Sequence, residues 1–406
     1  MPTPTSSGPW SSVSNTGMMH TDALLEGTKW GYDTPGDTLG DATTITYSFP
    51  DRVSAWDPLY YGGEPNAGYA LSDSQRSAFK DALQSWADVA DIDFAETADS
   101  QTSVGDIRAA MTEFESAPAH AYAPGPHPEA GDIWLNVSAP SNENTAPGDF
   151  GFFTLVHEIG HAIGLKHPFE NGTILPPEED SRQFTIMSHD PHPTATTEAS
   201  GPMLYDIAAA QYLYGPNRSF HAGDDVYRLS ASREQVHTIW DAGGTDGIDA
   251  SNQRLAVSVD LEAGHFSSIG VRSDGQPAID NLAIAYGVTI ENAFGGTGDD
   301  RIIGNDAANR LSGNAGDDVL IGGGGTDSFI FDSLDFGNDV IEDFQPGVTS
   351  DETLDFRGLG LSASDVTLTD ANGTGDSQIT VDESSDSIVL LGVQSSEIKG
   401  DDILLA

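Results

Sequence analysis

The chain has 406 residues, of which 37% are hydrophobic, so most of it should fold, and its length suggests two or three domains. Its 64 acidic and 16 basic side chains give a formal net charge of −48, which disfavours nucleic acids and anionic membranes as partners. It contains no cysteine, which excludes disulfides, thiolate zinc sites and a cysteine nucleophile. The acidity leaves two interpretations open: a surface adapted to high salt, or carboxylates that hold cations.

The first half of the chain predicts helices mixed with a small sheet. Residues 1–22 are rich in Ser, Thr, Pro and Gly and lack the apolar core of a signal peptide, so a flexible tail or propeptide is expected. No stretch reaches the ~18 apolar residues of a membrane span, so membrane insertion is not expected. A serine cap predicts an amphipathic helix over Ser72–Asp88, with Phe79, Leu83 and Trp86 on one stripe. Further predicted elements are strands at 44–48, 106–111 and 132–136 and helices at 154–164 and 205–214.

The helix predicted at 154–164 carries a metal-binding pattern, HEIGHAIGLKH. His157 and His161 are four residues apart and share one helix face, where neutral imidazoles can bind one zinc ion. Gly164 can end the helix with a positive φ, so that the chain turns and His167 supplies a third ligand. Three protein ligands leave one position open for water, and Glu158 can accept the proton of that water. The pattern therefore predicts one catalytic zinc ion.

After about residue 216 glycine and aspartate dominate, and a nine-residue repeat opens at Gly295, Gly304, Gly313 and Gly322. Its glycine half turns sharply and exposes carbonyl groups, whereas its second half forms a short strand with an apolar residue inward. Oxygen atoms of successive turns can then hold several calcium ions. A flexible Gly/Asp-rich linker, the alternative, would not keep an apolar residue at every ninth position. The predicted calcium ligands are Gly296, Gly298, Asp300, Gly304, Asn309, Gly313, Ala315, Asp318, Gly322, Gly324 and Asp327.

The HEIGHAIGLKHP sequence is similar to the extended zinc motif of the metzincin peptidases, and its ending Leu165–Pro168 resembles the serralysin branch. The resemblance covers nearly the whole chain. It implies an α+β zincin-like catalytic domain, with a small mixed sheet and long helices, followed by an all-β parallel β-roll built on calcium-binding repeats. The implied organisation is a tail at 1–22, a metalloprotease domain at 23–215, the β-roll at 216–345, and a β cap with a secretion signal at 346–406.

The resemblance also assigns roles outside the zinc motif. Met187 resembles the methionine of a turn beneath the zinc ion. Residues 119–126 are similar to the strand that borders the substrate, which implies substrate contacts from Ala119, His120, Ala121 and Tyr122. Residues 241–246 resemble an additional calcium loop, with Gly223, Asp241, Gly243, Gly244 and Asp246 as expected ligands.

One position departs from the serralysin pattern, which places a tyrosine two residues after the turn methionine. This chain has His189 there. Histidine can ligate zinc or donate a hydrogen bond to an oxyanion, so His189 is a candidate catalytic residue. It is also shorter than tyrosine, so a bystander role stays open, and His192 in the same loop is a candidate to compensate.

The leading hypothesis is a secreted, monomeric, zinc-dependent endopeptidase that hydrolyses peptide bonds in extracellular proteins and is folded and stabilised by calcium. The last residues, Asp401–Ala406, resemble the uncleaved signal of one-step (type I) bacterial exporters, although an ordinary final strand is the alternative. Rival hypotheses are a non-enzymatic calcium-dependent binding or adhesion protein and a zinc hydrolase of non-peptide substrates. Glu158 favours an enzyme, because a structural zinc site needs no carboxylate beside its first ligand.

Overall fold

The computed structural model describes residues 2–31, 40–51, 54–58, 60, 62–114, 117–347, 352–371, 373, 375–382 and 384–405. The chain divides into two compact units, and it passes from the first to the second after residue 220, shortly beyond the predicted boundary at 215. The N-terminal unit comprises residues 1–193, 197–220 and 236–240, and the C-terminal unit comprises 194–196, 221–235 and 241–406.

The described part of the chain has few helices and many short strands. Its α-helices are α1 (Met19–Asp22), α2 (Asp73–Val89), α3 (Phe150–Ala162) and α4 (Leu204–Tyr214), and short 3₁₀ turns lie at Glu64–Ala67, Pro140–Glu143 and Arg357–Leu359. Its strands are β1 (Trp10–Ser12), β2 (Thr28–Trp30), β3 (Thr43–Ser48), β4 (Ile92–Glu96), β5 (Ile107–Thr112), β6 (Ala119–Ala121), β7 (Ile133–Asn136), β8 (Val226–Tyr227), β9 (His237–Ile239), β10 (Gly247–Asp249), β11 (Ser258–Asp260), β12 (Phe266–Ser267), β13 (Leu282–Ile284), β14 (Asn292–Phe294), β15 (Arg301–Ile303), β16 (Arg310–Ser312), β17 (Val319–Ile321), β18 (Ser328–Ile330), β19 (Asn338–Ile341), β20 (Thr353–Asp355), β21 (Val366–Ala371), β22 (Asp376–Val381), β23 (Ser387–Leu390) and β24 (Ile403–Leu404).

The N-terminal unit is built on a five-stranded sheet with the strand order β4-β3-β5-β7-β6. The first three pairings in that order are parallel, whereas β6 runs antiparallel to β7 and lies at the edge of the sheet. Helix α2 begins after Ser72, whose hydroxyl accepts a hydrogen bond from the backbone N–H of Gln75 in a capping box. Its apolar stripe of Phe79, Leu83 and Trp86 is buried, as the sequence predicts.

Helix α3 begins four residues before the predicted start and ends at Ala162. The earlier start extends its buried face, because Phe152 and Phe153 join the core. Gly164 follows the helix with a φ of 112°, and a Cβ at this position would overlap the carbonyl oxygen of Thr28. The close approach and the positive φ both require glycine here, as the motif predicts.

The expectation of a flexible tail at residues 1–22 is wrong for the described part of that segment. Strand β1 pairs antiparallel with β2, and α1 packs against α4. The Asp22 carboxylate accepts hydrogen bonds from the backbone N–H groups of Thr16 and Gly17, at 2.6 and 3.0 Å. Composition misleads here because this segment is ordered by backbone and carboxylate hydrogen bonds, which need few apolar side chains.

The C-terminal unit contains two seven-stranded sheets, with the orders β24-β20-β18-β16-β14-β10-β8 and β11-β15-β17-β19-β23-β22-β21. From β14 to β20 successive strands alternate between the sheets, and each of the strands β14 to β18 pairs in parallel with the strand two places on. The inward residues of the repeats are fully buried: Ile302, Leu311, Leu320 and Phe329. This is the predicted β-roll. In the predicted cap at 346–406, β20, β23 and β24 continue the two sheets.

Within the described residues, no helix combines the length and apolarity needed to span a bilayer.

Candidate metal centre and substrate cleft

Helix α3 and the loop after it bring three imidazoles together. The Nε2 atom of His167 lies 3.1 Å from that of His161 and 3.3 Å from that of His157. Ligand atoms of the three residues lie within 4.8 Å of one another. The sequence predicted all three, and the structure brings them to one point.

The other ring nitrogen of each imidazole has an oxygen partner. His157 Nδ1 lies 2.7 Å from the carbonyl oxygen of Ile186, and His161 Nδ1 lies 2.9 Å from that of Leu165. His167 Nδ1 lies 2.7 Å from a carboxylate oxygen of Glu170. Such partners favour the tautomer with the proton on Nδ1, which leaves each Nε2 lone pair for a metal ion. Burial also lowers the pKa of His161 to about 4, so its ring is neutral at neutral pH. The donor set therefore fits zinc.

Glu158 follows the first imidazole on α3 and is buried. Its Oε2 atom is buried without a hydrogen-bond partner among the described residues, and its side chain lines the cleft beside the imidazoles. Burial raises the pKa of this carboxyl to about 8. An unpartnered carboxylate oxygen that faces a cleft is suited to exchanging a proton with a bound water or substrate.

Met187, which the resemblance assigns to a turn beneath the zinc ion, packs against helix α3. It is fully buried, and a Cβ on Gly160 of α3 would lie 2.6 Å from its sulfur. Its turn is fixed by Asp206 of α4, which accepts hydrogen bonds from Thr185 Oγ1 at 2.6 Å and from the backbone N–H of Ile186 at 2.8 Å. Burial raises the pKa of Asp206 to about 7. The sequence analysis missed Asp206, whose only signal is a lone acidic residue in an apolar helix.

His189 is exposed at the rim of this group. Its Nε2 lies 3.2 Å from that of His167, and its ring also packs against Phe169. Burial lowers the pKa of His189 below its ordinary value. His192 is buried and is not among the described residues that line the cleft, so its geometry lends no support to a compensating role.

A cleft of about 670 Å³ lies over the imidazoles and is bordered by edge strand β6. The predicted substrate-contact residues lie on or beside this strand. Glu64 lies behind it and was missed by the sequence analysis: its Oε1 accepts a hydrogen bond from Tyr122 Oη at 2.7 Å and lies 3.1 Å from His120 Nε2. Cleft-lining residues include Glu26, Ala119, His120, Ala121, Tyr122, Phe150, Phe153, Glu158, Glu170, Arg182 and His189.

The C-terminal unit contains a second cluster of side chains that could bind a metal ion. Oxygen atoms of Asp225, Asp241 and Asp246 lie within 4.8 Å of one another, and Asp246 Oδ2 is buried without a hydrogen-bond partner among the described residues. Such a set of oxygen donors fits a hard cation such as calcium. The predicted Gly243 donates its N–H to Asp241 Oδ1 at 2.7 Å, and Gly244 lies beside the carbonyl of Gly223. Asp225 was missed, although it is only two residues from Gly223.

The repeats place further carboxylates in a ladder between successive turns. Asp318 Oδ1 accepts the N–H of Asp300 at 2.7 Å, and Asp327 Oδ1 accepts that of Asn309 at 2.9 Å. The Oδ2 atoms of Asp318 and Asp327 are buried and lack a hydrogen-bond partner among the described residues, which again fits cation sites. Burial, with smaller contributions from neighbouring carboxylates, raises the pKa of Asp318 to about 7 and of Asp327 to about 6.

The remaining predicted ligands lie in the turns that join these strands. A Cβ on Gly304 would overlap the carbonyl oxygen of Gly322, so successive turns approach too closely for larger residues. The sequence analysis missed Asp339, which extends the ladder by accepting the N–H of Asp318 at 2.9 Å, because it falls outside the nine-residue register. The turns hold Gly296 and Gly298 between β14 and β15, Gly304 between β15 and β16, Gly313 and Ala315 between β16 and β17, and Gly322 and Gly324 between β17 and β18.

A mixed α+β unit with a long helix that supplies metal-binding histidines, followed by a parallel β-roll, defines the class of metzincin-type domains joined to a repeat domain. Comparison with known families agrees. The family described as Peptidase M10 serralysin C terminal matches residues 205–405, and the family described as Matrixin matches residues 59–193. The chain belongs to the serralysin-type metalloproteases.

Individual relatives give the same result. The chain is 35% identical over 307 residues to serralysin B of Dickeya chrysanthemi, which covers 68% of this chain and 61% of that protein. It is 33% identical over 313 residues to a serralysin of Proteus mirabilis, covering 67% and 62% of the two chains. With metalloprotease AprA of Pseudomonas entomophila, identity is 36% over 324 residues, covering 71% and 63%. The chain thus spans about six tenths of the length of the curated relatives that it matches.

Proposed function

We propose that the chain is a secreted, zinc-dependent endopeptidase that cleaves extended segments of proteins and is stabilised by calcium. One observation carries the proposal: three imidazole nitrogens and the buried carboxylate of Glu158 meet in a cleft bordered by an edge strand. Membership of the serralysin-type family supports it. A structural metal site would need neither the cleft nor Glu158.

Edge strand β6 provides the means of holding a peptide. Its register with β7 pairs Ala119 with Leu135 and Ala121 with Ile133, and β6 is the last strand of the sheet. An extended substrate can therefore add to its other side by backbone hydrogen bonds. The small side chains of Ala119 and Ala121 allow a close approach of the substrate backbone.

The chemistry then depends on the residues beneath that strand. When bound by the three imidazoles, zinc polarises the scissile carbonyl and lowers the pKa of the attacking water. Glu158 takes a proton from the water and delivers it to the leaving amine. Burial raises the pKa of Glu158, which favours the protonated form that delivers the proton to the leaving amine.

His189 is positioned to donate a hydrogen bond to the carbonyl oxygen as negative charge develops there. The loop that carries it is held by Arg182, whose guanidinium donates to the carbonyl oxygen of His189 at 3.3 Å. Arg182 also lies over the ring of Phe153, at 4.4 Å from its centroid, and forms an ion pair with Glu198. These contacts hold the loop that carries the imidazole of His189 beside the other three.

Secretion, export through a one-step machinery and a monomeric state belong to the same proposal. The acidic repeats favour calcium-dependent folding outside the cell, where calcium is abundant. The C-terminal residues Ile403–Leu404 form β24, which pairs in parallel with β20. An ordinary final strand without a signal role would form the same pairing, so the structure does not distinguish the two. Export is therefore tested directly, by measuring release from cells of the chain with and without residues 401–406.

Glu158→Gln tests the enzymatic part. The change keeps the shape of the side chain but removes the proton acceptor, so hydrolysis of unfolded casein should fall at least about 100-fold while zinc content stays near one ion per chain. Glu143→Gln, an exposed carboxyl in a 3₁₀ turn, is the matched control. Full activity in Glu158→Gln would exclude this residue as the base. No activity in the unaltered protein with zinc and calcium bound would favour a calcium-dependent binding protein instead.

A further inference from the structure

The third imidazole differs from the other two because it lies on a loop rather than on the helix. His157 and His161 are held by the backbone of α3, whereas His167 follows Gly164, where the helix has ended. A ligand on a loop needs other restraints to stay near the metal position.

A short stretch of the N-terminal segment runs antiparallel to this loop. Leu25 forms a β-bridge with Leu165, and the N–H of Glu26 donates to the carbonyl oxygen of Gly164 at 3.0 Å. The N–H of Lys166 donates to the carbonyl oxygen of Leu24 at 2.8 Å. Residues 23–26 therefore form a two-stranded ladder with the residues that immediately precede the third imidazole. We call residues 23–26 the bracing segment.

The side chain of Lys166 strengthens this arrangement. The residue is only 7% exposed, and its ammonium group donates to three backbone carbonyl oxygens: Ala23 at 2.6 Å, Thr173 at 3.1 Å and His167 itself at 3.3 Å. A lysine ammonium has three N–H donors, so each donor has one carbonyl partner. The three partners belong to the bracing segment, to the ligand residue and to the loop that follows it.

We propose that Lys166 is a positioning residue for the third metal ligand, and that through it the bracing segment becomes part of the metal centre. The inference rests on the proposed zinc site. Removing the ammonium leaves the carbonyl oxygens of Ala23 and Thr173 without this donor, whereas that of His167 keeps the backbone N–H of Glu170 at 3.2 Å. The least costly response is for the loop to move away from the bracing segment. His167 would then lose its fixed distance to His157 and His161, and zinc affinity should fall.

The test uses the full chain and measures zinc affinity by competition with a chelator, which does not require proteolysis. Lys166→Met keeps the length of the side chain and removes the donors, and we expect a 10- to 100-fold loss of zinc affinity, the scale known for residues that orient metal ligands. Hydrogen exchange of the backbone amides of Glu26 and Lys166 should accelerate in the same variant. Lys80→Met, at an exposed ion pair with Glu96, should change neither quantity.

A chemical rescue separates positioning from general damage to the fold. The chain has no cysteine, so Lys166→Cys introduces a single thiol. Alkylating that thiol with 2-bromoethylamine in the unfolded chain and refolding with calcium yields an S-aminoethyl side chain that closely matches lysine. The alkylated protein should regain at least about a third of the lost affinity on a logarithmic scale, whereas the unalkylated one should resemble Lys166→Met.

Two results would overturn the proposal: unchanged zinc affinity in Lys166→Met, or a folded alkylated protein whose affinity stays as low as that of the free thiol. If Lys166→Met does not fold, the comparison of the alkylated and unalkylated cysteine variants still decides. An inactive but tightly zinc-binding unaltered protein would contradict the proposed function and leave this inference standing.

Discussion

The metal centre of the N-terminal unit and the carboxylate ladder of the C-terminal unit use opposite means of holding their ligands. Each imidazole has an oxygen partner for its Nδ1, so the three rings are oriented by the protein alone. In the ladder, buried oxygens of Asp318 and Asp327 lack a partner among the described residues. The imidazoles are therefore oriented by protein hydrogen bonds, whereas buried oxygens of the ladder have no protein partner among the described residues.

This difference follows from the charges of the two ligand types. Neutral imidazoles can be brought together at little electrostatic cost, but neighbouring carboxylates repel one another and lose solvation when buried. Zinc should therefore add chemistry to a preformed site, and calcium should complete the folding of the roll.

The largest expected effect is the removal of calcium. With a calcium-selective chelator, the C-terminal unit should lose most of its β-structure, while the helices of the N-terminal unit persist. Far-UV circular dichroism and residue-level hydrogen exchange would separate the two units, since α2 and α3 should stay protected as β14 to β19 exchange. Removal of zinc alone should unfold neither. Equal loss of protection in both units on calcium removal would contradict the idea that calcium completes the folding of the C-terminal unit alone.

The calcium-free roll should also show a characteristic dependence on pH. Burial raises the pKa of Asp327 to about 6, of Asp318 to about 7 and of Asp339 to about 8, from an ordinary value near 4. A raised pKa in the folded state means that the protonated form is favoured by folding, so this contribution is present below pH 4 and is lost between about pH 4 and 8. In chelator, far-UV circular dichroism should therefore find β-structure returning as the pH is lowered from about 8 to about 4, and calcium should reverse the trend.

Asp318→Asn isolates one carboxylate of the ladder. The amide keeps the size and one oxygen but removes the buried charge, so without calcium the roll should be more stable than the unaltered protein near pH 7. With calcium the order should reverse, because the ion loses a charged ligand. Far-UV circular dichroism in chelator, where the variant should retain more β-structure, and thermal melts with calcium test this, with Asp335→Asn at an exposed position as the control. A destabilised variant in both conditions would mean that the carboxylate is retained for packing rather than for calcium.

The features that the sequence predicted correctly are those that depend on the spacing of residues close together in the chain. The imidazoles, Glu158, Gly164 and Met187 lie within one stretch of chain, and the repeat fixes the inward residues Ile302 to Phe329 at regular intervals. Local spacing on a helix or in a repeat translates directly into geometry. Predicted helix ends were less accurate, as the earlier start of α3 shows.

What the sequence did not predict are contacts between distant segments. Asp206 reaches the methionine turn from α4, and Asp225 joins the cluster of Asp241 and Asp246 from a different strand region. The bracing segment was assigned to the catalytic domain without a role, and the residues before it were expected to be flexible. In each case tertiary contact, rather than a local pattern, decides the function of the residue.

Substitutions of His189 test whether its imidazole takes part in the reaction. If its imidazole donates to the developing oxyanion, His189→Ala should lower kcat about 10- to 100-fold with little change in KM. His189→Tyr, which restores the residue of the family pattern, should recover activity. Steady-state kinetics at saturating zinc would measure both. An alanine variant with unaltered kcat across pH would make His189 a bystander.

Glu170→Gln has the smallest expected effect. It tests the one feature that the zinc centre shares with the carboxylate ladder, a carboxylate close to the metal position. Among the described residues, Glu170 is the one carboxylate that bonds an imidazole of the zinc centre, at 2.7 Å from His167 Nδ1, and its side chain is 44% exposed. Glutamine keeps an oxygen acceptor for the ring, so the orientation of His167 should survive, but the negative charge that favours a cation is lost. Zinc affinity should therefore fall about tenfold, at the lower end for residues that orient metal ligands.

Because the carboxylate is exposed, salt should screen its contribution to zinc binding. The difference in zinc affinity between the variant and the unaltered protein should shrink between 0.01 and 1 M salt, as the Debye length falls from about 30 to about 3 Å. Glu170→Ala removes the acceptor as well and should lose more zinc affinity than Glu170→Gln does. This additional loss comes from the hydrogen bond and should not change with salt. If glutamine and alanine lower the affinity equally, the hydrogen bond contributes nothing and only the charge matters. If glutamine binds zinc as tightly as glutamate at low salt, the charge contributes nothing, and the zinc centre is set by hydrogen-bond geometry throughout.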